Sequence, residues 1–147
     1  MSYKDFRPRL KGDKKIAYDN LTKNERRILV VGDLHAPFEL DGYLDFCQET
    51  YAKYLCNQVI FIGDIIDNHY SSYHETSSDA LGGADELDYA IQTVSHWNRA
   101  FPVADVIIGN HDRMVMRKAQ TSAIPTMWIK SYNEVLGTKW NWVERIV

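Results

Sequence analysis

Two cysteines in 147 residues, Cys47 and Cys56, provide neither a disulfide framework nor the spacing of a cysteine metal site. No apolar stretch approaches the ~20 residues needed to span a bilayer, and the N-terminus has no apolar core of a secretory signal. A soluble protein of the reducing cytoplasm is therefore expected. Repeats and low-complexity tracts are missing, and so is the basic, aromatic-studded face of a folded nucleic-acid module. The five histidines stop at His111, leaving the last 36 residues without one. What is present is the composition of an ordinary globular domain, 45% hydrophobic and 25% charged. Its length suffices to bury roughly 68–70% of the unfolded surface.

Charge is unevenly placed. Residues 1–27 hold nine Lys/Arg against four Asp/Glu, whereas residues 28–147 hold eight against sixteen. An acidic body suits a protein that gathers cations, and a basic arm could touch an anionic partner or simply remain solvated. With Pro8 and Gly12 interrupting a polar, aperiodic stretch, residues 1–26 read as an arm and residues 27–147 as one domain.

Three apolar, β-branched runs give that domain its frame: Ile28–Val31, Val59–Ile62 and Val103–Ile108. Each ends at a glycine followed by polar side chains: Gly32-Asp33-Leu34-His35, Gly63-Asp64-Ile65-Ile66-Asp67 and Gly109-Asn110-His111-Asp112. Continuous apolar runs mark buried parallel strands, and open α/β sheets place their sites beyond the carboxyl ends of such strands. Between the runs, Leu40, Leu44, Cys47, Tyr51 and Leu55 recur at helical spacing, as do Leu87, Ile91, Val94, Trp97 and Phe101, with Pro102 as a stop. The order is βαβαβ, with right-handed crossovers between neighbouring parallel strands. Residues 68–83 form a long polar connection, which is usually functional or mobile. Beyond Asp112, Met114–Gln120 and Pro125–Leu136 read as helices, the latter ended by Gly137. Lys139–Val147 reads as a strand that starts a new sheet element, leaving Trp140, Trp142 or Val143 short of packing partners and the edge prone to self-association or to pairing with a complementary chain. Trp97, Trp128, Trp140 and Trp142 are expected to be packing aromatics.

The three tips should converge. Asp33 and His35, two residues apart, can both face one cation, Asp64 could bridge it to a second, and Asn110 could complete part of that second site. Mixed O/N ligation suits Mn, Fe, Zn, Ni or similar divalent ions. A pair of such ions clamps an in-line displacement at phosphorus by binding the attacking hydroxide and the phosphate oxygens together. Arg113 could bind a phosphate oxygen or serve as an ordinary helix-start residue, and His69 and His74 could be ligands, substrate contacts or solvated loop side chains.

Taken together, the three tips resemble the signature of the calcineurin-like metallophosphoesterase superfamily over residues 28–112. The resemblance implies that Asp33 and His35 bind the first metal, that Asp64 bridges, and that Asn110 binds the second. It also implies His111 beside the leaving group as acid or charge stabiliser, Asp112 holding the His111 ring through its other nitrogen, and Asp67 supporting a ligand. The fold implied is the parallel half of an αββα sandwich with its second sheet truncated, and the activity is hydrolysis of a phosphomonoester or phosphodiester by metal-bound hydroxide. Asp67-Asn68-His69 stands where protein phosphatases of the family have Asp-Arg-Gly, so the chain is more similar to bacterial or bacteriophage enzymes acting on nucleotides, nucleic acids or small phosphoesters.

The resemblance departs in one place: the family's C-terminal Gly-His and Gly-His-x-His motifs have no counterpart after His111. A fragment, a split enzyme that takes ligands from a second chain, or an inactive interaction protein would each account for this. One ion or none is then the expectation for the chain alone.

Overall fold

The sheet is all parallel, and its four strands follow one another in chain order. The computed structural model describes residues 11–13, 15, 25–75, 77–79 and 81–147. Most of the proposed arm, 1–26, lies outside the described residues. Strand β1 (Ile28–Val31) pairs with β2 (Gln58–Phe61), β2 with β3 (Asp105–Ile107), and β3 with β4 (Asn141–Val143). Helix α1 (Tyr43–Lys53) joins β1 to β2 and α2 (Gly83–Ala100) joins β2 to β3. The last crossover contains α3 (Met114–Thr121), a 3-10 turn at Thr126–Trp128, and α4 (Tyr132–Leu136).

Strand order 1-2-3-4 with right-handed crossovers sends every connecting helix to the same face of the sheet. Burial follows that rule. Leu29, Val31, Val59, Phe61 and Val106 face inward and are buried with Cys47 and Tyr51 of α1 and Ala90, Val94 and Trp97 of α2. Phe61 sits at the centre, its ring 5.9 Å from that of Trp97 and 4.8 Å from that of Trp140. On the opposite face Ile28, Val30 and Ile62 remain exposed, Val30 by 56%. This is one half of the αββα sandwich, and no second sheet occurs among the described residues.

Several expectations need correction. Lys139–Val147 does not begin a new sheet. Its central residues extend the existing one, with Asp105, Val106 and Ile107 opposite Asn141, Trp142 and Val143. The tryptophans there are covered: Trp140 is buried and donates its indole N–H to the Phe101 carbonyl at 2.8 Å, while Trp142 stacks on Tyr132 and donates to Asn133 Oδ1. Residues 125–136 are not one helix. Pro125 opens only the 3-10 turn, and the chain restarts at Ser131, which forms a capping box with Glu134. Trp128, on that turn, is 81% exposed and no core residue. Leu40 precedes α1 and is exposed, as is Leu87 on α2. The α2 stripe that packs inward is Glu86, Ala90, Val94 and Trp97, one position out of phase with Leu87.

Among the described residues no helix is long and apolar enough to cross a membrane.

Candidate metal centre

The tips of β1, β2 and β3 come together at the carboxyl end of the sheet, as parallel strands require. Tips one and two are stitched by their backbones: the His35 N–H donates to the Asp64 carbonyl at 2.8 Å, Ala36 to Ile65 at 2.8 Å, and Asp67 returns to Ala36 at 3.0 Å. Tips two and three approach more closely still. A Cβ on Gly63 would stand 2.9 Å from the Gly109 Cα, and one on Gly109 would stand 2.9 Å from Asp64 Cγ. Glycine is required at both positions, and Gly63 also takes a positive φ of 104°. Gly32 is less constrained, since a Cβ there would meet only the Ile62 side chain.

Backbone shape aims the side chains. Asp33, His35 and Asp64 all adopt left-handed conformations, with φ of 45°, 49° and 52°, and Asn68 follows at 50°. Such residues are uncommon and mark places where the surrounding fold dictates the backbone. Ligand atoms of Asp33, His35 and Asp64 lie within 4.8 Å of one another, a compact set of two carboxylates and one imidazole. His35 Nε2 is 3.9 Å from Asp64 Oδ2.

A second group unites His35, Asp67 and His111. Its hydrogen bonds define the histidine tautomers. The His111 Nδ1 is 2.5 Å from the Asp67 carbonyl, which can only accept, so Nδ1 bears the proton and Nε2 stays open. The His35 Nδ1 is 2.7 Å from Asp67 Oδ1 and likewise donates, leaving its own Nε2 open. Asp67 thus orients both rings, which meet edge to face with centroids 4.6 Å apart. His35 belongs to both candidate groups, its Nδ1 facing Asp67 and its Nε2 facing Asp64.

Asp112 does not hold the His111 ring. Its carboxylate turns inward, accepting the N–H groups of Ile65 and Ile66 at 2.9 and 3.2 Å on one oxygen and that of Gly109 at 2.9 Å on the other. Three orphan backbone donors at converging tips are satisfied by one side chain, and this is why a carboxylate is buried there. Burial pushes its pKa up, the three N–H groups pull it back, and the neighbouring Asp64 adds to the rise. The ring is held instead by the Asp67 carbonyl, while the His111 N–H donates to Asp64 Oδ1 at 2.9 Å.

Asn110 is exposed at the β3 tip between Gly109 and His111. The Arg113 guanidinium is engaged by Glu144 just beyond β4, whose carboxylate raises the arginine pKa. His69 lies in the 3-10 turn His69–Ser71 and His74 is exposed beyond it; neither joins a group of candidate ligands among the described residues.

Three supporting residues escaped the motif reading. The Tyr43 hydroxyl accepts the Gly32 N–H at 3.2 Å and donates to the Gly32 carbonyl at 2.7 Å. Since β1 is an edge strand, this hydroxyl takes the place of a neighbouring strand immediately before Asp33. Asn68 Nδ2 donates to the His111 carbonyl at 2.9 Å. Glu86, only 4% exposed, accepts the N–H groups of His69 and Tyr70. Its signal in the sequence was an acidic residue in phase with Ala90, Val94 and Trp97.

The family model of calcineurin-like phosphoesterases matches residues 26–144, which includes all four strands and every tip. The chain belongs to this family. No curated protein and no solved structure gives a match. The calcineurin-like phosphoesterases are a hydrolase family, and this member has its metal-ligand residues in part: the Asp33, His35 and Asp64 donors are gathered.

Proposed function

We propose that the chain performs metal-dependent hydrolysis of phosphomonoesters or phosphodiesters. The carrying observation is the gathering of Asp33, His35 and Asp64 within 4.8 Å on two strand tips of a phosphoesterase domain. Two carboxylates and an imidazole fit a divalent ion such as Mn, Fe, Zn or Ni. In this reading Asp33, His35 and Asp64 would hold one ion, and Asp64 with the Asn110 carboxamide would hold a second. Bound ions would acidify water and neutralise charge on the phosphate oxygens.

The protein's own contribution is orientation and proton handling. Asp67 fixes the His35 ring so that Nε2 is the available ligand atom. His111 keeps its Nδ1 proton on the Asp67 carbonyl, so a proton carried at Nε2 is the one it can give to a leaving oxygen. Asp112 locks the tips on which these residues stand. The domain is taken to run from residue 27 to 147 with a basic arm before it, in the cytoplasm. Its substrates are sought among nucleotides, nucleic acids and small phosphoesters of bacterial or bacteriophage type.

Hydrolysis of an activated aryl phosphodiester and monoester with added Mn²⁺ tests this directly. Asp64→Asn should lower turnover at least 100-fold and reduce metal stoichiometry, whereas wild-type rates with unchanged metal content in that variant would refute the assignment.

One further observation favours a second reading, in which the chain acts with a partner. The uncovered sheet face exposes Ile28, Val30 and Ile62 beside a polar row of Gln58, Asp105 and Asn141, and it is continuous with the strands that form the site. A complementary chain or a second copy would cover it and could add ligands. Sedimentation across a concentration series decides this, with a monomer at every concentration and full turnover counting against it.

A further inference from the structure

We propose that Glu86 is a positioning residue for the two site histidines, acting through the Asp67-Asn68 turn. This rests on the reading of the site given above. Glu86 stands in the first turn of α2, outside every strand-tip motif, and is almost wholly buried. A buried carboxylate is costly unless its oxygens are hydrogen-bonded, and here both are. Oε1 accepts the His69 N–H at 2.6 Å and Oε2 the Tyr70 N–H at 3.0 Å.

Those two amides open the 3-10 turn directly after Asn68, which is left-handed and offers no side-chain cap of its own. Asn68 donates its side-chain amide to the His111 carbonyl, and that side chain makes no capping bond to the turn that follows. Asp67, one residue earlier, holds the Nδ1 of both histidines. The same α2 face continues through Ala90, Val94 and Trp97 into the core. Glu86 is therefore the link between a rigid helix and the turn that sets the ring orientations. Beside it lies a cavity of about 250 Å³ lined by Asn68, Tyr70, Glu86, Asp112 and Tyr132 among others, so the turn has room to shift once the carboxylate is altered.

Glu86→Gln is the informative variant, because an amide keeps size and burial but replaces one acceptor by a donor that opposes a backbone N–H. In the metal-free protein, the His111 Nδ1–H resonance should be sharp and slowly exchanging in the wild type and broadened or lost in Glu86→Gln. Mn²⁺ affinity should fall about 3–10-fold, and kcat should fall at least 10-fold with KM within about twofold; Glu86→Asp should recover part of each. A Gln variant with the wild-type resonance and affinity overturns the proposal. If Glu86→Gln does not fold, hydrogen exchange in the wild type decides: His69 and Tyr70 amides protected nearly as strongly as those of α2 support it, and amides exchanging as in an open loop refute it. Absence of phosphoesterase activity in the wild type would count against the proposed function while leaving the resonance and exchange results to judge Glu86.

Discussion

Oδ1 of Asp67 lies 2.7 Å from Nδ1 of His35, a charge-assisted bond that presents the far nitrogen of the ring beside Asp33 and Asp64. Supporting carboxylates of this kind typically raise metal affinity 10–100-fold. Asp67→Asn retains the main-chain carbonyl that holds His111 but weakens the bond to His35. Calorimetric titration with Mn²⁺ should show affinity lowered by about that factor, with His111 still protonated at Nδ1 by nitrogen NMR. Unchanged affinity would remove Asp67 from the ligand-orienting role.

Tyr43→Phe deletes only the hydroxyl that bridges both polar groups of Gly32. The ring still packs edge to face on Trp97, so the core is retained. Losing the two bonds should cost about 1–3 kcal/mol in urea unfolding and weaken metal binding through Asp33. A variant as stable as the wild type would show that water replaces the hydroxyl without penalty.

Cys47 is buried on α1, and burial lifts its thiol from 9.0 to about 11. The folded state then retains a proton that the unfolded chain has already released, so this contribution to stability is complete below pH 9 and declines as pH rises towards 11. An aromatic disulfide reagent at pH 8 should modify Cys47 only as fast as the domain opens. Rapid labelling of the native protein would contradict the burial.

The convergence of the strand tips was more legible in the sequence than their supports. One glycine stop after a β-branched run means little, since an Asp there is more often a helix cap, but three such stops in chain order mark neighbouring strand ends. The inward turn of Asp112 was not legible, because a carboxylate beside a histidine fits two partners equally well by spacing. Only the three-dimensional approach of Ile65, Ile66 and Gly109 decides between them. Glu86 and Tyr43 were hidden for a related reason: each sits on the helix that follows the tip it steadies, too far along the chain for a local motif to include it. The strand at 141–143 was recognised as a strand, yet pairing partners are a property of the whole sheet, and the alternation of Trp140 and Trp142 contains no information about them.

Asp33→Gly should raise the melting temperature of the metal-free protein by about 2–4 °C while reducing Mn²⁺ binding. The φ of 45° at this exposed residue costs an L-amino acid roughly 1 kcal/mol that glycine does not incur. Removing one of two neighbouring carboxylates adds to the gain. A lower melting temperature would mean that the Asp33 side chain stabilises the tip by a bond stronger than the strain it imposes.

The left-handed residues 33, 35, 64 and 68 therefore set stability and function against each other at the same four positions. A search that rewarded thermal resistance alone would drift towards glycine at each of them, and every step would remove a candidate ligand or, at Asn68, the bond to the His111 carbonyl. Thermostable variants of this domain should be sought on the helical layer, away from the strand tips.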